Sequence, residues 1–447
     1  MTATELRRDR RWTPIAFALT LSYLVLLPGE PWFNYPLMLM AILAIVVAVR
    51  DWSNVHRSRA VRAAAVVLVL LWVPIVIAQL DAVDPDAAWG RLVRFPIYYG
   101  AAVFVLVTLS PQHLQRIVHV TGAVILIWSL DACLQYWVGR NVLGWPHDSG
   151  RLTGIFYPKY TLGPVLATLA PIYYAVVGEW ARRSPIFLLA LLPFWSAIGL
   201  NASRTSWVLL LLGSLAYVVL WAITRPDPIK RRWIGGVTGA MAVVVLVGGF
   251  ALHHASPEAL GPVPQRLATF RALLSGDAQA VDRATGRRLT VWTTAWRIAK
   301  DHWANGVGSR NFRVVYTAYA DPDDYFLVKN NGQPPTHPHQ LGLEVLVDTG
   351  ALGLGCYVLL LALFVRWFSR ALRAPSWETV GVGLTLILAY FPLSMHKSFY
   401  GNIWSSFAWW LMIIAIGSFF LNHQPSGSRP RRDRSTATIA SDSPHYV

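Results

Sequence analysis

Long apolar runs separated by short loops govern what this chain can become. Runs able to cross ~30 Å of hydrocarbon, which takes about 20 helical residues, can be placed twelve times. Their approximate limits are 13–29, 35–50, 61–80, 94–110, 116–137, 160–179, 184–201, 204–223, 234–252, 340–365, 379–396 and 401–421. Inside lipid every backbone N–H and C=O has to be satisfied within the protein, and a helix does so within its own segment. The expected fold class is therefore an all-α polytopic membrane protein. Composition agrees: 55% of the 447 residues are hydrophobic and 14% are charged, against about 25% charged in soluble domains.

Basic residues orient the spans, because short loops rich in Lys and Arg stay in the cytoplasm. Clusters at Arg7–Arg11, Arg57–Arg62, Arg182–Arg183, Arg225–Arg232, Arg366–Arg373 and Arg429–Arg434 all fall on one side under a twelve-span count, with both termini cytoplasmic. Residues 1–12 form a cytoplasmic N-terminus, and the first apolar run is an anchor, since no small-residue cleavage site follows it. Residues 13–252 hold nine spans, 253–339 a long outer loop and 340–421 the last three spans. The Ser-, Pro- and Arg-rich segment 422–447 reads as a disordered tail. The net charge of +16 is spread over many short segments, which argues against nucleic acid as a partner and leaves membrane lipid. Cys133 and Cys356 lie in apolar runs and suit packing better than a disulfide or a thiolate metal site.

The outer loop is far longer than a helix hairpin requires, and such loops are usually functional or disordered. "LTVWTTAWRIAKDHW" places Leu289, Trp292, Ala295, Trp296 and Ala299 at helical spacing, so the loop is expected to be partly helical and to rest on the membrane. Cations gather in the segments that share its side: Arg91 and Arg94 before "FPIYYG", Lys159 in "GIFYPKYTLG", Arg204 in "NASRTSW", and Arg287 and Arg288 in "ATGRRLTVW". Snorkelling explains any one of them. Their convergence beside a histidine pair points to a bound anion, and phosphate fits guanidinium forks.

That pair is His337 and His339, in "THPHQ" at the head of an apolar run. Proline disfavours helical geometry in the residue before it, so the helix is expected to begin at or just after His339. A histidine at a helix N-terminus tends to stay neutral and able to accept a proton. Glu344 and Asp348 lie four residues apart on one face of the same helix. A buried acid needs a partner, and Glu344 is expected to orient a histidine or to meet a basic group. Gly342, Gly350, Gly353 and Gly355 suit close helix packing. Asp84-Pro85-Asp86 and Asp321-Pro322-Asp323-Asp324 are read as turn chemistry, and neither a metal nor another cofactor is expected.

These residues resemble the O-antigen ligase family, whose fold is shared with O-antigen polymerases and bacterial protein O-oligosaccharyltransferases. The resemblance rests on His339-Gln340 followed by Gly350-Ala351-Leu352-Gly353, on Arg288 with Trp292, on "NGVGSRNF" and on "SRTSW". Gln340 stands where Asn is more common, and the Arg287-Arg288 doublet leaves the register open by one. The resemblance implies a GT-C-like, metal-independent, inverting glycosyltransferase of the bacterial inner membrane with its active site facing the periplasm. Its donor would be O-antigen on undecaprenyl diphosphate and its acceptor a sugar hydroxyl of lipid A-core. His339, Arg288 and Arg204 would be catalytic, with His339 the general base. Arg94, Arg91, Lys159, Arg287, His337 and Glu344 would bind substrate. An O-antigen polymerase, a protein O-oligosaccharyltransferase and a non-enzymatic lipid-oligosaccharide transporter are the alternatives.

Overall fold

The computed structural model describes residues 11–147, 151–224, 277–392 and 397–421. Among these residues the regular structure is helical, and strand-like pairing is confined to a bridge between Arg140 and Pro146. The helices are α1 (Thr13–Leu26), α2 (Asn34–Arg50), α3 (Trp52–Arg57), α4 (Arg59–Gln79), α5 (Pro85–Thr108), α6 (Pro111–Val138), α7 (Leu162–Arg183) and α8 (Leu191–Leu200). They continue with α9 (Arg204–Thr224), α10 (Ala278–Thr285), α11 (Arg288–Asp301), α12 (Phe312–Tyr319), α13 (Tyr325–Val328), α14 (Leu341–Ala371), α15 (Trp377–Ala389) and α16 (Asn402–Leu421).

Among the described residues, seven helices are long and apolar enough to cross a membrane: α4, the Trp89–Thr108 part of α5, α6, α7, α9, α14 and α16. Shorter apolar helices are α1, α2, α15 and α8 with the 3-10 turn Pro185–Ala190 before it. Each expected apolar run coincides with a helix except 234–252, which lies outside the described residues, as do 1–10, the stretch 253–276 and the tail 422–447. The chain is a polytopic helical membrane protein.

Local chemistry sets the helix ends. Ser58, Ser110 and Ser376 accept the backbone N–H of Val61, His113 and Thr379, capping α4, α6 and α15. The centre of the bundle is α16 and α7, both almost wholly buried, with α15 packed on α7. The outer faces of α2, α9 and α14 expose Ile42, Ile45, Val49, Leu211, Leu215, Val358 and Val365, surfaces suited to lipid. Apolar burial does little to join helices in lipid, where interhelical hydrogen bonds contribute roughly 0.6 kcal/mol each. Trp410 Nε1 donates to the Thr20 carbonyl at 3.1 Å and Tyr23 donates to Ser406 at 3.0 Å, tying α16 to α1.

Pro96 inside α5 has no N–H, which frees the carbonyl of Leu92 one turn earlier. Trp72 Nε1 of α4 takes that carbonyl at 2.8 Å. Beyond the bundle, Val291, Ala295, Ile298, Phe312, Tyr316 and Val347 form a separate small core that fastens α11 and α12 to α14. The buried face of α11 is Val291, Thr294, Ala295, Ile298 and Ala299, whereas Trp296 is exposed. α11 packs on α12 and α14, so the small residues face inward and the bulky Trp296 cannot.

Candidate active site

The site begins with a break in α14. Gly350 has φ 66° and ψ −166°, far from helical. A break there removes the bonds from the N–H groups of Ala351 and Leu352 to the carbonyls of Val347 and Asp348, and unmade bonds in a low-dielectric setting are costly. The loop between α11 and α12 replaces both. Ala351 N donates to Trp303 O at 2.6 Å and Leu352 N to Ala304 O at 3.5 Å, while Val307 N donates to Val347 O at 2.9 Å and Gly308 N to Asp348 O at 3.1 Å. The backbones approach so closely that a Cβ on Gly350 would lie 2.3 Å from the Ala304 carbonyl oxygen. Gly350 was expected to serve close helix packing; its role is this break, which a side chain at positive φ would strain. The same loop holds the segment before α5: Val83 N donates to Val307 O, and Asn311 pairs with the backbone of Asp84 at 2.9 and 3.1 Å.

At the head of α14, Gln340 caps the helix by accepting the N–H of Leu343, and Leu341 is the first helical residue. The preceding turn carries the histidines, their ring centroids 4.0 Å apart. His339 adopts φ 56° and is half-buried, whereas His337 is buried. Trp292 of α11 donates its indole N–H to the Pro338 carbonyl at 3.0 Å, pinning the turn between the rings. His337 Nδ1 lies 2.9 Å from the Thr336 hydroxyl, and its Nε2 is buried without a hydrogen-bond partner. Burial first, then the charges of His339, Arg310, Lys397 and Arg288, hold the His337 imidazole well below its ordinary pKa.

Cations surround this turn. Ser203 accepts the N–H of Ser206, so Arg204 opens α9 at the bundle end. One Arg204 amino group reaches 3.6 Å from the place a Cβ on Gly286 would take. Arg288, first residue of α11, donates both terminal nitrogens to Thr205 Oγ1 at 3.4 and 3.3 Å. Burial and then Arg204 lower its pKa to about 10. On α5, Arg91 donates Nε to the Tyr400 carbonyl at 3.3 Å and feels the charges of Arg310, Arg94 and Asp348. Lys159 is ion-paired with Glu30.

Two expected residues are engaged elsewhere. Arg287 stands 3.6 Å from Asp282 and its guanidinium covers the Tyr325 ring at 4.8 Å. Asp282 also accepts from Thr290, so Arg287 helps lock the turn that aims Arg288. Glu344 takes its hydrogen bonds from neither a histidine nor a base: it accepts from the Ser398 hydroxyl and from Phe399 N at 3.0 Å, and the nearby charge of Arg310 acts on it. Neutral donors from the segment before α16 thus satisfy the buried acid. Asp348 accepts the N–H of Arg310 at 2.9 Å. The proline-flanked aspartates act as turn and capping residues, with Asp84 accepting from Asp86 N at 3.1 Å and Asp324 from Phe326 N at 2.8 Å.

Two cations at the site escaped the sequence reading, Arg310 and Lys397, whose charges both act on His337. Arg310 lies inside the quoted "NGVGSRNF", where the glycines drew the attention. Lys397 stands alone between two apolar runs, with no local pattern to mark it.

The chain is thus a polytopic helical membrane protein whose bundle gathers half-buried arginines and an imidazole pair at one end, under a clamped and broken helix, an arrangement with the chemistry to accept an anion. Residues 187–358, which carry Arg204, Arg288, both histidines and the Gly350 break, match the O-antigen ligase family. Members of that family are membrane glycosyltransferase-like ligases and polymerases. None of the curated proteins compared with the chain matches it.

Proposed function

We propose that the chain is an O-antigen ligase that transfers O-antigen from undecaprenyl diphosphate to a sugar hydroxyl of lipid A-core. In this reading it crosses the bacterial inner membrane twelve times with a GT-C-like fold, keeps both termini in the cytoplasm and opens its site to the periplasm. The observation that carries the reading is the His337–Pro338–His339 turn, pinned by Trp292 and bordered by Arg288.

The acceptor hydroxyl attacks the anomeric carbon of the donor while His339 takes its proton. The glycosidic bond to the lipid diphosphate breaks and the phosphate oxygen leaves with the electron pair. Arg204 and Arg288 stabilise the charge that develops there, already positioned and half withdrawn from water. A single displacement inverts the anomeric configuration. His337, held neutral by burial and neighbouring charge with its ring centroid 4.0 Å from that of His339, does not compete for that proton. Arg91, Arg94 and Lys159 bind substrate, whereas Arg287 and Glu344 act by holding the turn and the segment before α16.

Reconstitution tests the proposal. Purified protein in lipid receives undecaprenyl diphosphate-linked O-antigen and, in separate reactions, lipid A-core, a growing O-antigen chain or a serine-containing acceptor protein. Release of lipid diphosphate with lipid A-core alone is the expected result. Release with one of the other acceptors instead assigns the chain to polymerisation or protein glycosylation, and glycan movement across vesicles without release makes it a transporter.

A further inference from the structure

We propose that Arg310 and Lys397, together with Arg91, Arg94 and Lys159, form a second anion subsite on the α5 and α16 side of the histidine turn, where it takes an acidic group of the acceptor. The proposal rests on the reading of Arg204 and Arg288 as the diphosphate side.

The cations fall into two groups by the elements that carry them. Arg204 and Arg288 meet at Thr205, where α9 begins and α11 reaches it. The other group is gathered by the segment before α16. Tyr400 receives Arg91, Ser398 and Phe399 hold Glu344, and Asn402 donates to Glu30 at 3.1 Å, the same carboxylate that pairs with Lys159. Lys397 sits at the start of this segment, half-buried and within electrostatic reach of Lys159. Arg310 approaches from the clamp loop, fixed by its own N–H on Asp348, and acts on Arg91. Both Arg310 and Lys397 also act on His337, where the two groups adjoin.

Charge balance then calls for a ligand. Among the described residues neither the Arg310 guanidinium nor the Lys397 ammonium makes an ion pair. The carboxylates within this group are Glu30, Glu344 and Asp348. None of the three forms an ion pair with Arg310 or Lys397, and cations partly withdrawn from water are expensive without a counter-charge. A departing lipid diphosphate is already matched by two guanidiniums on the α9 side. A phosphate or carboxylate on the acceptor supplies the missing anion, and would fix the orientation of the attacking hydroxyl toward His339.

Inorganic pyrophosphate serves as the probe, titrated calorimetrically into the full chain in phosphatidylcholine nanodiscs. The wild type should bind two pyrophosphates; R310Q/K397Q should keep one, R204Q/R288Q should keep the other, and K397R should keep both. One pyrophosphate per wild-type chain, none at all, or loss of the same binding event in both double variants overturns the proposal. In transfer assays K397Q should raise the acceptor KM by roughly ten- to a hundredfold with kcat and donor KM little changed; a rise in donor KM instead overturns it. Two-site binding in this pattern without any lipid diphosphate release supports the second subsite and defeats the ligase reading, so the two fail separately.

Discussion

His337 is a histidine in name and an apolar neighbour in electrostatic terms. It is 7% exposed, with burial first and then neighbouring charge, that of Arg310, Lys397 and Arg288 included, opposing its protonation. The folded pKa lies below the ordinary 6.5, so the unfolded chain takes up a proton below that pH while the folded one does not. Stability is therefore unaffected above pH 6.5 and falls as pH drops beneath it, by about 1.4 kcal/mol per pH unit down to the folded value. The melting temperature of H337Q in detergent should fall less between pH 7.5 and pH 5 than that of the wild type; equal slopes would contradict the assignment. His339, half-buried and the proposed base, is expected to behave differently. H339A should lose about 10²- to 10⁴-fold in kcat with an unchanged melting temperature, whereas ligation close to wild type would remove His339 as the base. At this scale the histidines, Arg204 and Arg288 were legible because each opens an apolar run or helix. Arg310 and Lys397 were not, since what makes them notable is proximity across distant parts of the chain.

Elements decide where those residues point. α14 is long enough to cross the bilayer, but its first turns are aimed by the loop that repairs its break. G350A combines a Cβ 2.3 Å from the Ala304 oxygen with a positive φ, and overpacking of this kind costs about 1–3 kcal/mol, with strain at φ adding more. Detergent thermal melts should show a clear drop for G350A and little for G355A, whose added Cβ meets nothing within 4 Å. W292F tests positioning in a milder way. It removes the single bond to the Pro338 carbonyl, worth about 0.5–1.5 kcal/mol, so kcat should fall while donor and acceptor KM stay close to wild type. A larger change in KM than in kcat would show that the indole touches substrate instead. The sequence showed glycines in both partners of this contact but gave no sign that they meet. Helical spacing located α11 but gave no sign of which face packs against protein, because the surface it meets comes from α12 and α14.

For the whole molecule, hydropathy carried the plan of helices, since apolar length is a local property of a chain in lipid. What lay beyond it was the order of packing, with α7 and α16 at the centre and α11 and α12 bolted to α14. The proposed orientation can be read by labelling. In a background lacking Cys133 and Cys356, V142C should react with a membrane-impermeant maleimide in spheroplasts, and A374C only after lysis; Val142 and Ala374 are both exposed. The reverse pattern would invert the topology and put the histidine turn in the cytoplasm. The mutual repair at Gly350 also bears on how such chains can be recombined. Residues 303–308 and 347–352 complete each other's main-chain bonding, so a hybrid that inherits one stretch from a second parent and keeps the other mixes two halves of one lock. Exchange of both together is the graft that should fold.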